Sequence, residues 1–162
     1  MSKPDVRIAS AADARLAGDL LRAMDRHYRP GAVLPAPGDY AKMAAEAIEG
    51  NEGTRFALGF SSAGEPAGIA CFAVLRPGRD KRGLVFVKDL FVKDDMRGQG
   101  IGTLIIRFLA KFCLDHGIGR IDLGTDRSNA GAQRLYDALG GVVQEKVNYS
   151  FPADVLKRLT AD

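Results

Sequence analysis

The chain of 162 residues reads as an α/β fold: a mixed, mostly antiparallel central sheet with helices on both faces. Three observations predict it. Two apolar runs, 55–60 and 67–75, flank the turn-rich stretch 61–66 and make a hairpin. The run LVFVKDLFV over 84–92 is nearly all apolar or β-branched, the composition of a central strand. A strand, helix, strand order over 84–124 makes a crossover, which joins parallel strands through a right-handed connection.

Taken in order, Val6 and Ile8 alternate as a short first strand. Leu16, Leu20, Leu21 and Met24 recur at helical spacing, with Asp13 as the cap before them. Three prolines and two glycines break the pattern over 29–39. Met43, Ala44, Ala47 and Ile48 share one face of a second helix, which residues 50–53 end. After the hairpin, 77–83 is a turn into the central strand. Ile101, Leu104, Ile105, Phe108, Leu109 and Phe112 form one apolar helical stripe. Gly117 and Gly119 stop that helix before a short strand over 120–124. Asn129 caps a further helix carrying Leu135, Tyr136 and Leu139, which Gly140 and Gly141 terminate. Residues 142–151 read as a last long strand, and Pro152 opens a short amphipathic tail.

Composition narrows the function classes. With 46% hydrophobic and 27% charged residues the chain is an ordinary globular one, and residues 1–162 read as a single domain. Net charge +3 is too mild for a nucleic-acid binder, and the basic cluster at 79–82 is short and broken by Asp80. There is neither a signal peptide nor an apolar stretch of membrane-spanning length, so the expectation is a cytoplasmic protein with no membrane partner. Cys71 and Cys113 sit in apolar-patterned segments without C-x-x-C spacing and read as buried thiols. In a reducing compartment the sequon at Asn148 is idle. His27 and His116 are isolated, so no metal site is expected. His116 reads as a residue facing a helix C-terminus.

The segment that carries chemistry is Asp94-Asp95-Met96-Arg97-Gly98-Gln99-Gly100-Ile101-Gly102, between a strand and a helix. Glycines there let the backbone approach a ligand, and amides at a helix N-terminus suit an anion such as a pyrophosphate. A plain tight turn gives the same local pattern. A Walker loop requires a lysine that Gly102-Thr103 lacks. A dinucleotide fingerprint requires a third glycine where Ile105 stands, although Asp122 is suitably placed.

Arg97-x-x-Gly100-x-Gly102 after an apolar strand resembles the acetyl-CoA signature of the GNAT superfamily of N-acetyltransferases: Gln or Arg, two residues, Gly, one residue, Gly or Ala. The resemblance runs from about residue 67 to residue 151. It includes a second block, Asn129-x-x-Ala132-x-x-Leu135-Tyr136, after which Gly140-Gly141 replaces the family's usual Gly-Phe. The hairpin and the strand ending Asp89-Leu90-Phe91-Val92 look most like the branch acting on diamines and polyamines.

The resemblance implies that two neighbouring parallel strands splay, and that the backbone of Leu90, Phe91 and Val92 pairs with pantetheine amides. Amides of Arg97, Gly98, Gln99, Gly100, Ile101, Gly102 and Thr103 would cradle the pyrophosphate, with Asn129, Ala132 and Tyr136 also at the cofactor. Packing and capping are the plain structural readings of Leu90–Val92 and Asn129. Tyr136 would protonate the departing thiolate; a phenol of pKa about 10 holds its proton at neutral pH. An alkyl amine of pKa about 10.4 is only about one part in a thousand neutral near pH 7.5, so a carboxylate is wanted nearby. Asp89 is the candidate, as base or as the group recognising a cationic amine; a salt bridge to Lys88 or Lys93 is its structural alternative. The oxyanion would meet a backbone amide, that of Val92. No thiol is nominated as nucleophile. The implied enzyme transfers acetyl from acetyl-CoA directly to a primary amine of a small molecule, without a metal, as a homodimer, with the loop after His27 bordering the acceptor pocket. A non-catalytic acyl-CoA sensor, or transfer to a protein amino group, remains the alternative.

Overall fold

A computed structural model describes residues 3–78 and 81–161. Arg79 and Asp80, half of the basic cluster, lie outside the described residues. Five strands pair in sequence order: β1 (Asp5–Ile8), β2 (Thr54–Phe60), β3 (Pro66–Leu75), β4 (Leu84–Val92) and β5 (Ile121–Leu123). The first four are antiparallel to their neighbours and β4–β5 is parallel, as the crossover requires. The helices are α1 (Ala14–Tyr28), α2 (Pro37–Glu49), α3 (Ile101–Asp115), α4 (Ala130–Ala138) and α5 (Ala153–Leu159).

Each face of the sheet has its own core. Ile101, Ile105, Leu109 and Cys113, one turn apart along α3, bury against Val85, Val87 and Phe72. On the opposite face Leu20, Leu21 and Met24 of α1, with Tyr40 and Ala44 of α2, cover Phe56, Leu58, Ile69 and Phe91.

Four expectations need correction. Residues 142–151 form no strand: Val143, Val147 and Tyr149 are each at least 80% exposed. Their alternation suits a strand, but no sheet edge among the described residues receives them. The second helix begins at Pro37, inside the proline-rich stretch, because proline is well placed in a helix's first turn. Met43 points to solvent, and Tyr40 takes the buried position beside Ala44. Asp13 holds the N-cap position of α1, but its side chain makes no cap hydrogen bond. Its carboxylate is taken by Arg7 at 2.6 and 2.7 Å and by the Ser10 amide at 2.8 Å, across a 3-10 turn, Ala11–Asp13.

Candidate functional site

The parallel ladder is short. Val85, Phe86 and Val87 pair with Ile121, Asp122 and Leu123, and there it stops, although β4 runs on to Val92. β5 ends at Leu123, so beyond Val87 the β5-facing backbone of 88–92 has no strand beside it. The opening coincides with a bulge. Cys71 pairs with Asp89 but Phe72 pairs with Val87, so Lys88 is the extra residue. The bulge switches the strand's facing. Val85 and Val87 pack toward α3; after it Leu90 and Val92 do so, and Phe91 is buried on the α1 side.

At the end of β4 a 3-10 turn, Asp94–Met96, leads to the glycine turn. Gly98 and Gly100 have φ of +77° and +76°, a region that costs other residues strain. Gly100 is the N-cap of α3, and the Leu104 N–H to Gly100 C=O bond opens the ladder. The amides of Ile101, Gly102 and Thr103 therefore have no acceptor within the helix. The Ile101 side chain is buried, so only its backbone can serve a ligand. A Cβ on Gly102 would lie 3.1 Å from Leu135, so this glycine lets α3 and α4 meet.

The Arg97 side chain folds back over the turn. Its guanidinium donates to the Val92 carbonyl at 3.3 Å, sits 2.9 Å from Asp94 and lies 3.2 Å from His27 Nε2. His27 Nδ1 in turn meets Asp94. These contacts tie the end of α1 to the turn, and the Phe91 ring lies against His27 and Tyr28 below them. Sequence reasoning misses that linkage, since nothing in the spacing joins position 27 to position 94.

A cleft of about 440 Å³ lies beside the opening, with Asp89, Leu90, Asn129, Ala132 and Tyr136 among its walls. Asn129 caps α4 through its side-chain oxygen, 3.1 Å from the Ala132 amide, and Tyr136 follows two turns later. Burial, and then the neighbouring Tyr28, push the Tyr136 phenol above its ordinary pKa, so it is protonated at neutral pH. Tyr28, Lys88, Thr125 and Asp126 complete the polar lining, and no motif in the sequence marks them as site residues. Phe91, Val92 and residues 97–103 do not line this cleft.

Asp89 pairs with Lys88 at 2.7 Å, while Lys93 approaches Asp95 instead. His116 sits at the C-terminus of α3, its ring within 2.8 Å of the Phe112 carbonyl and stacked on the Phe112 ring. Both cysteines are buried and free, and burial pushes both thiols up. Among the described residues no cluster of histidine, cysteine or carboxylate side chains is placed to hold a metal.

Residues 20–140 match the family model described as Acetyltransferase (GNAT) family. A thialysine N-epsilon-acetyltransferase of Bos taurus is 41% identical over 56 residues, covering 35% of this chain and 33% of its own length. An uncharacterized N-acetyltransferase of Methanocaldococcus jannaschii is 32% identical over 85 residues, 52% of this chain and 38% of its own length. The matches thus span little more than a third of these relatives. Among solved structures, an integron cassette protein from the mobile metagenome of V. cholerae superposes with a TM-score of 0.89 at 21% identity, covering 100% of both chains. An aminoglycoside acetyltransferase from an uncultured soil metagenomic sample, in complex with sisomicin, gives 0.75 at 16% identity over 93% of this chain and 95% of its own. At these identities the likeness is one of fold.

Proposed function

Because the chain belongs to the GNAT family of acetyltransferases, we propose that it moves the acetyl group of acetyl-CoA directly onto a primary amine of a small molecule. One observation carries the reading: β4 runs on past the end of β5 beside a helix N-terminus with free amides, and Tyr136 and Asp89 face one cleft at that opening. The backbone of Leu90–Val92 would pair with the pantetheine, and the amides of 97–103 would take the diphosphate, favoured by the α3 dipole.

In the reaction the amine nitrogen bonds to the thioester carbonyl carbon, the carbon–sulfur bond breaks, and Tyr136 gives its proton to the departing sulfur. Its raised pKa keeps that proton available throughout the neutral range. Asp89 orients the amine and receives its proton directly or through water. The Val92 amide faces the oxyanion. A homodimer belongs to the same reading, supported by the exposed apolar alternation of Val143, Val147, Tyr149 and Phe151. A cytoplasmic setting is supported by two buried, unpaired thiols.

The test is thiol release from acetyl-CoA over polyamines, amino acids, aminoglycosides and histone-like peptides, with Tyr136→Phe beside the wild type. Release with a small amine, slowed by at least tenfold in the variant while acetyl-CoA affinity holds, is expected. Binding of acetyl-CoA without release to any amine would leave a sensor module. Release only with peptides would move the acceptor to protein amino groups.

A further inference from the structure

We propose that the acceptor carries a carboxylate as well as its amine, and that Lys88 selects it. The inference rests on the amine-transfer reading and narrows its substrate class.

Consecutive residues of a regular strand face opposite sides of the sheet. Lys88 and Asp89 escape that rule because the bulge falls on Lys88, and the two side chains meet at 2.7 Å, both on the wall of the cleft. The Lys88 side chain is 70% exposed and that of Asp89 26%, so the cation stands outermost over a more enclosed carboxylate. Asp25, also near Lys88, is already engaged by the Tyr40 hydroxyl and Arg29. Asp126 stands elsewhere on the lining.

A purely cationic acceptor fits this wall badly. It must displace the Lys88 ammonium from Asp89 and then lie beside that displaced charge. An acceptor bearing both charges exchanges the resident pair for two new ones. Its ammonium goes to Asp89 and its carboxylate to Lys88, so the displaced Lys88 charge regains a partner. Lys88 then sets which amine enters and takes no part in making or breaking bonds.

L-lysine and 1,5-diaminopentane differ only in the carboxylate, so their ratio of kcat/KM, followed by CoA release, isolates the effect. Wild type should favour lysine by about tenfold, the scale of one partly exposed charge-assisted contact. Lys88→Gln should erase that preference and Lys88→Glu reverse it toward the diamine. A wild-type preference for the diamine, or a ratio unmoved in both variants, overturns the inference; if a variant fails to fold, the wild-type ratio still decides. If neither acceptor releases CoA, nor ornithine and 1,4-diaminobutane as the shorter pair, while another amine of the wider screen does, the inference falls and amine transfer stands; if no amine does, both fall. Turnover of all four at equal efficiency overturns the inference and leaves amine transfer standing.

Discussion

Replacing Gly100 by valine separates a ligand-binding turn from a merely tight one. Gly100 has φ +76°, and a Cβ built on it finds no heavy atom within 4 Å. The folded protein therefore meets backbone strain but no collision, a cost of about 2 kcal/mol. At about 2–4 °C per kcal/mol for a chain of this size, the melting temperature should fall by about 4–8 °C. Affinity should suffer far more. The branched side chain stands in the open space before the amides of 101–103, where each charge-assisted hydrogen bond to a phosphate is worth about 1.5–3 kcal/mol. Breaking two such bonds weakens acetyl-CoA binding by more than about a hundredfold. Calorimetric titration and thermal melts measure the two effects independently. Gly38→Ala is the control: Gly38 has equal room, an ordinary φ, and lies in the first turn of α2. A Gly100→Val protein that melts a few degrees lower yet binds acetyl-CoA as the wild type does would show that the turn holds no phosphate.

Acid should act through Asp13. The guanidinium of Arg7 first, and then the Ser10 amide, hold its carboxyl well below the usual carboxylate range. A depressed folded pKa gives stability that is full above the unfolded value of about 3.9 and drains as pH falls below it. Melting temperature should hold from about pH 7 to 5 and drop below about pH 4, more gently in Asp13→Asn; an identical acid slope in the variant would refute the assignment. The Tyr136 phenol is raised, so any alkaline loss of transfer below about pH 9 should persist in Tyr136→Phe, and its disappearance there would contradict the role given to the phenol. Burial should keep Cys71 and Cys113 from alkylation in the native protein at about pH 7.5. Labelling faster than global unfolding, followed by mass spectrometry, would show that a thiol is open.

What the sequence made legible was what local periodicity encodes. The stripe of α3 and the Asn129 cap are statements about neighbours three or four residues apart, and both appear as read. The segment 142–151 shows the limit: alternation specifies a strand's two faces, but a strand also needs an edge to pair with, which alternation cannot supply. Asp13 shows another. A carboxylate ahead of a helix has several backbone and side-chain suitors, and Arg7, six residues back on β1, wins it. The contacts of His27 with Asp94 and Arg97 span 67 and 70 residues and depend on where α1 lies across β4, which no short-range pattern records.

The bulge sits between these extremes, because its trace is in the sequence. Val85 and Val87 occupy odd positions, Leu90 and Val92 even ones, and the break in parity falls on the only polar pair in the run, Lys88-Asp89. A regular strand with that sequence would turn either the first two apolar residues or the last two away from α3. One inserted residue removes the conflict: both pairs reach the α3 core, Phe91 reaches the α1 core, and the bulge falls just past Val87, where β5 ends. The feature that satisfies the core thus also sets an ammonium beside a carboxylate on the wall of the cleft. Deleting Lys88 should therefore leave one parity throughout, keep Leu90 and Val92 in phase with Val85 and Val87 on the α3 face of a regular strand, and melt close to Lys88→Gln. If the deletion variant instead melted far below Lys88→Gln, the bulge would not be what reconciles the two parities, and the link between core and cleft would fail.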